Sequence, residues 1–132
     1  MKIKDYMTKG IVCCDIEDNI STIAEIMDSN NIGFIAVLSN DAIIGVITDR
    51  DLVIGPILDN ENSIEEYINK NIISIDEDDN IITGLNLMKK NKIKRLLVTK
   101  KGKYTGVLSI SDLLTTNKTN EVINTLKEIK GN

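Results

Sequence analysis

Moving this chain 61 positions along itself brings like residue onto like residue without a gap, and this repeat limits the fold more than any other feature. Tyr6 falls on Tyr67, Asp15 on Asp76, Asp18 and Asn19 on Asp79 and Asn80, Ile20 on Ile81, and Met27 on Met88. Farther on, Val37 meets Val98, Gly45 and Val46 meet Gly106 and Val107, and Asp51 and Leu52 meet Asp112 and Leu113. Register kept this long means two copies of one supersecondary unit. With 132 residues in all, each copy is close to the size at which a lone domain buries too little surface to be comfortably stable. The halves, divided at 1–60 and 61–132, are therefore expected to depend on each other.

Within each copy the order of elements is legible. A short apolar run, IVCC or IISI, leads into an acidic turn, DIEDN or DEDDN, whose Asp and Asn suit a turn and a helix cap. Ile20, Ile23, Ala24 and Met27, and in the second copy Ile81, Leu85 and Met88, keep the spacing that buries one helix face. Gly84 weakens the second of these helices by about 1 kcal/mol relative to alanine. Two β-rich runs come next in each copy, joined by the short polar turns SNDA and KKGK. A last helix is expected from Asp49 and from Ile110, the first limited by Gly55 and Pro56. The order is β-α-β-β-α twice, an α/β (α+β) class. Between the copies Ser63 and Glu66 read as a capping box for a short helix. Val122, Ile123, Leu126 and Ile129 predict a final amphipathic helix ending near Gly131.

Composition narrows the function. A formal charge of −4, no long basic run and few aromatics lack the footprint of a nucleic-acid binder. No apolar run reaches membrane-spanning length and MKIKDYMTKG has no apolar leader core, so no membrane role and a cytoplasmic location are expected. Histidine is absent, which removes the commonest general base and metal ligand. Cys13 and Cys14 are adjacent, matching neither a disulfide framework nor a metal-ligand spacing, and read as strand residues. No metal and no catalytic residue is expected.

The segments GVITDRDL and GVLSISDL each close a strand on a hydroxyl, Thr48 or Ser109, with an acid three residues on, Asp51 or Asp112. That spacing is first of all a helix cap. Both instances also lie where a strand ends and a helix begins, where free N–H groups favour phosphate and a carboxylate can accept from sugar hydroxyls. Capping and binding are compatible uses of one turn.

With these residues in view, the chain resembles a tandem pair of CBS domains, a Bateman module, from about Lys4 to Leu114. The resemblance rests on GVITDRDL and GVLSISDL, each preceded by a helix and a strand hairpin, and on KDYMTKGIVCCDIEDNI. It implies two repeats packed about a pseudo-twofold axis, with clefts between them that bind adenosine-containing ligands. By the same resemblance Thr48 and Ser109 lie near phosphate or ribose, and Asp51 and Asp112 on ribose hydroxyls. Val12, Cys13 and Cys14, with Ile73, Ser74 and Ile75, would flank the base. Lys94 and Arg95 match positions where some members set cations against phosphate, and also fit a solvated strand edge. The first copy has Gly33 and Phe34 there, with Arg50 as its nearby cation.

The expected function is non-enzymatic sensing of an adenine nucleotide or adenosyl ligand (AMP, ADP, ATP or S-adenosylmethionine) as a regulatory ligand and not a cofactor. A homodimer and a separate effector protein are the implied partners. The alternative is a ligand-free dimerisation scaffold, in which both turns are caps only.

Overall fold

The acidic turns close into helix caps. In the computed structural model of the chain, which describes residues 1–59 and 64–129, the Thr22 N–H donates to Asn19 Oδ1 at 2.8 Å and the Ile82 N–H to Asn80 Oδ1 at 2.9 Å. These bonds start α1 (Ile20–Asn30) and α3 (Ile81–Asn91). Both helices end in a left-handed residue, Asn31 or Lys92, whose N–H returns to the last turn. The strands pair as two hairpins, β3 (Phe34–Ser39) with β4 (Ala42–Thr48) and β6 (Arg95–Lys100) with β7 (Lys103–Ser109). Their two-residue loops, Asn40–Asp41 and Lys101–Gly102, take positive φ throughout, the geometry that matches the twist of the strands. The opening runs become three-residue strands, β2 (Cys13–Asp15) parallel to β3 and β5 (Ser74–Asp76) parallel to β6.

Each sheet buries one face under its helices. In one core Cys14, Ile35, Val37 and Ile47 of the sheet meet Ile23 and Met27 of α1. In the other Ile75, Leu96, Val98 and Leu108 meet Ile81, Leu85 and Met88 of α3, with Val122 and Ile129 of α4 (Thr119–Ile129). The final amphipathic helix is thus present.

The compact units do not keep to the chain order of the copies. One unit is Val12–Ile72; the other joins Met1–Ile11 to Ile73–Asn132. The segment leading into the first copy is built into the second unit: β1 (Thr8–Lys9) pairs with β7, the Gly10 N–H donates to the Thr105 carbonyl at 2.9 Å, and Ile3 is fully buried. Lys4 Nζ lies 3.2 Å from Asp78 Oδ1 in an exposed ion pair that holds the lysine above its usual pKa and the aspartate below. In exchange, the segment leading into the second copy joins the first unit. Val46 and Asn69 trade main-chain bonds at 3.0 and 2.9 Å, and Ile64 is fully buried. Thr8 and Asn69, like Ile3 and Ile64, are repeat equivalents.

Two elements depart from expectation. The helix α2 (Asp49–Asp59) runs on through Gly55 and Pro56. Proline's fixed φ is itself helical and its cost is one donor with local crowding. The helix is held there by close packing, since a Cβ at Gly55 would collide with the Tyr67 ring. In the second copy the last helix is a 3-10 segment, Ile110–Thr115. Thr115 and Thr116 hydroxyls donate to the carbonyls of Asp112 and Leu113, at 3.3 and 2.7 Å, and stop it after two turns. Ser63 and Gly131, which carried the cap and helix end expected between and after the copies, lie outside the described residues.

Close main-chain approach makes Gly106 irreplaceable: an added Cβ would collide with the Thr8 carbonyl oxygen. At Gly84 the nearest atom is instead the end of a side chain, Ile3 Cδ1, 3.0 Å away. Gly106→Ala is expected to cost about 1–3 kcal/mol by urea unfolding. Gly84→Ala should stay within about 1 kcal/mol of the parent, because helix propensity offsets the tight contact.

Candidate functional site

Thr48 and Ser109 each end a strand, and each caps the helical segment after it. The Thr48 N–H donates to Asp51 Oδ2 at 3.0 Å and the Asp51 N–H returns to Thr48 Oγ1 at 3.3 Å. In the second copy the Ser109 N–H donates to Asp112 Oδ2 at 2.9 Å and the Asp112 N–H to Ser109 Oγ at 3.3 Å. Both are complete capping boxes, and all four side chains are half-buried. The box fixes each carboxylate through Oδ2 while the group's second oxygen is a separate acceptor. The Asp49 N–H donates to the Gly33 carbonyl and the Ile110 N–H to the Lys94 carbonyl, at 2.9 and 2.8 Å, tying each corner to the start of the neighbouring strand.

The register decides which predicted residues share a corner's face. Phe34 stands opposite Thr48, and Arg95 opposite Ser109, so their side chains lie on one side of the hairpin. By strand alternation Ala36 and Val46, with Cys13 beside Ala36, continue that face in the first unit; Leu97 and Val107, with Ser74, continue it in the second. Cys14 and Ile75 point the other way, into the helix-covered cores, 3% and 4% exposed. Only their main chain is left to face a ligand, because alternation forbids neighbouring strand residues from sharing a side. Val12 and Ile73 are half-buried, and their carbonyls accept from Ala36 and Leu97. Lys94 is exposed, Arg95 half-buried, and Arg50 exposed in the first corner.

One neighbour, Ser111, was not singled out from the sequence. Ser111 Oγ lies 2.8 Å from Ser109 Oγ, in a hydrogen bond that either hydroxyl can donate. In the first corner Asp49 accepts the Arg50 N–H through Oδ1 at 2.8 Å, and its carboxylate leans across Gly33, where a Cβ would come within 2.6 Å of Oδ2. The signal was available in the repeat register, which sets Ser111 against Arg50, Ile110 against Asp49 and Lys94 against Gly33. The corners share a frame and differ in charge.

Comparison with known proteins reaches these residues. The CBS domain family model matches residues 3–55 and 64–117, both corners included. The chain is similar to the uncharacterized protein YlbB of Bacillus subtilis, 35% identical over 125 residues that cover 91% of this chain and 84% of that one. Among solved structures it is similar to the CBS domain pair of protein MJ0100 in complex with 5'-methylthioadenosine and S-adenosyl-L-methionine. That likeness has a TM-score of 0.78 at 23% identity and covers 86% of this chain and 92% of the other. It is also similar to the CBS domain protein TA0289 of Thermoplasma acidophilum, with a TM-score of 0.87 at 16% identity over 99% of this chain and 77% of that one. Among the described residues no helix is long and apolar enough to cross a membrane.

The thiols are set against nucleophilic use. Burial pushes Cys14 up to about 12, with Asp18, Cys13 and Asp15 adding to it, and burial alone raises Cys13. A protonated thiol is a poor nucleophile. Since the folded state holds the Cys14 proton more tightly than the unfolded chain, its contribution to stability is complete below the ordinary thiol pKa of 9.0 and is lost as pH rises toward about 12. Native protein should leave Cys14 unmodified by iodoacetamide at neutral pH, and its denaturation midpoint should fall on going from pH 9 to higher pH; rapid alkylation by peptide mapping would contradict this placement.

Proposed function

The chain belongs to the CBS domain family, and from that premise we propose that it is a regulatory module without catalytic chemistry of its own, binding an adenine nucleotide or adenosyl ligand at its strand-to-helix corners. The observation that carries the reading is the repeated box. Twice, at equivalent positions, a carboxylate is held in place through one oxygen at the end of a strand, with a hydroxyl beside it. A group so fixed is ordered before the ligand arrives, which lowers the entropy cost of binding. The complex of MJ0100 with 5'-methylthioadenosine and S-adenosyl-L-methionine supports the ligand class. At the second corner Arg95 opposite Ser109, with Lys94 before it, suits a phosphorylated ligand through charge-assisted bonds. Signalling requires only that the ligand favour one arrangement of the module over another, and the response then passes to a separate effector.

The completed boxes also favour a second reading, a ligand-free scaffold whose corners only cap. Titration separates the two. Under the first, AMP, ADP, ATP or S-adenosylmethionine at about 100 times its dissociation constant should add about 2.7 kcal/mol to unfolding stability; no shift with any of them leaves the scaffold. An amide oxygen can still accept the Ser109 N–H, so Asp112→Asn is expected to keep stability within about 1 kcal/mol. The same change should weaken phosphorylated ligands about 10- to 100-fold by calorimetry, as loss of a charged hydrogen-bond partner does. Asp51→Asn reports the first corner in the same way.

A further inference from the structure

The two corners share a frame, and their electrostatics part most directly at one exchanged pair of residues. Gly33 and Asp49 of the first corner stand where the second has Lys94 and Ile110. The surroundings deepen the contrast. In the unit Val12–Ile72, two basic side chains stand against twelve acidic ones, a formal charge of −10. The other unit has fourteen basic against eight acidic side chains, or +6.

Glycine at position 33 makes room for a carboxylate. The three atoms nearest to a Cβ added there all belong to Asp49: Oδ2 at 2.6 Å, Cγ at 2.9 Å and Oδ1 at 3.2 Å. The carboxylate therefore fills the place from which, in the second corner, the Lys94 side chain starts. It is held by the Arg50 N–H, which donates to Oδ1 at 2.8 Å. The Asp49 N–H meets the Gly33 carbonyl at 2.9 Å and the Asp51 N–H meets Thr48 Oγ1 at 3.3 Å, so the first three N–H groups of α2 are all engaged. Those are the groups by which the start of a helix receives phosphate. In the second corner Ile110 is buried in the core and has no side-chain oxygen to offer the Ser111 N–H. Lys94 is exposed there, and Arg95 stands opposite Ser109.

We propose that Asp49 sets the ligand class of the first corner, making it a site for an adenosine-type ligand without phosphate, while the second corner takes the phosphorylated one. Asp49 acts twice: it occupies the N–H group a phosphate would use, and it repels the phosphate's charge. Building an unfavourable contact against the wrong ligand is as effective a source of preference as improving the right one. Arg50 brings a cation to the first corner, but as the direct neighbour of Asp49 it offsets that carboxylate and leaves Asp51 uncompensated. The charges of Asp49, Arg50 and Asp51 come to −1, and those of Lys94, Arg95 and Asp112 to +1. Asp49 is exposed, so water screens part of its field and the first corner's preference is moderate. This inference rests on the corners being adenosine sites and adds which ligand each one takes.

Adenosine and AMP differ only by the phosphate, and amide NMR titration of the full chain with each, in EDTA, reads the corners separately. The Gly33 and Asp49 amides report the first corner, the Lys94 and Ile110 amides the second. Adenosine is expected to bind the first corner at least about threefold more tightly than AMP, and AMP to bind the second at least about tenfold more tightly than adenosine. Asp49→Asn keeps an oxygen for the Arg50 N–H and should erase the first corner's preference. Gly33→Lys with Asp49→Ile carries the second corner's pair into the first and should reverse it; Asp49→Asn decides alone if the double variant does not fold. Neither variant should alter the preference at the second corner. AMP binding the first corner of the parent chain as tightly as adenosine, or a preference that Asp49→Asn leaves untouched, overturns the assignment. So does a first corner silent to adenosine while the second responds. Silence of all four amides with both probes overturns the adenosine reading of the corners itself, and this inference with it.

Discussion

At Gly45 and Gly106 one main chain lies where a side chain would otherwise begin, and the make-up of both units depends on these two contacts. Asn69 occupies the space over Gly45, and Thr8 the space over Gly106. Each belongs to the segment that leads into the other copy. The exchange delivers more than an edge pairing, because Ile64 and Ile3 come with those segments and are fully buried in cores otherwise formed by the opposite copy. Either copy alone would lack a strand partner and a buried isoleucine at once. A unit of about 60 residues is marginal by surface-to-volume scaling, and the exchange makes each half a condition for completing the other.

The repeat and the hairpins were legible because they rest on local rules. Asn19 and Asn80 cap, Asn40–Asp41 and Lys101–Gly102 turn, and the apolar residues of α1 and α3 keep a helical period. The features that could not be read depend on distance or on short length. Tyr6 on Tyr67 shows that the two lead segments are alike, but no local preference says which hairpin a short polar segment will join. Pro56 carries a strong stop signal, yet Gly55 lies against Tyr67, so tertiary packing governs α2. Cys14 and Ile75 were grouped with Cys13 and Ser74 because a three-residue strand is too short to display its alternation; once the strand is paired, the two sides separate.

The corners show why a motif of this kind is ambiguous by construction. A capping box needs a hydroxyl and an acid three residues apart, and so does a turn that offers a hydroxyl and a carboxylate to a sugar phosphate. The structure satisfies the first requirement at both corners, and doing so fixes the geometry the second would use. The information that distinguishes the corners therefore lies outside the motif. Phe34 against Arg95, Asp49 against Ile110 and Arg50 against Ser111 change the charge around an unchanged frame. The same frame can thus present a more acidic setting in one copy and a more basic one in the other.

That difference sets what a ligand at each corner does to the charge around it. Lys94 and Arg95 belong both to the surroundings of the second corner and to the excess positive charge of their unit. A phosphorylated ligand held there would subtract its own charge from the +6 of that unit, whereas an uncharged nucleoside in the first corner would leave the field nearly unchanged. Coupling between two binding events is reciprocal, so whatever factor a phosphorylated ligand takes from the affinity for a partner drawn by that charge, the partner must take from the affinity for the ligand. The module could in this way report the charge of its ligand without any large rearrangement of either fold, through electrostatics that weaken with salt.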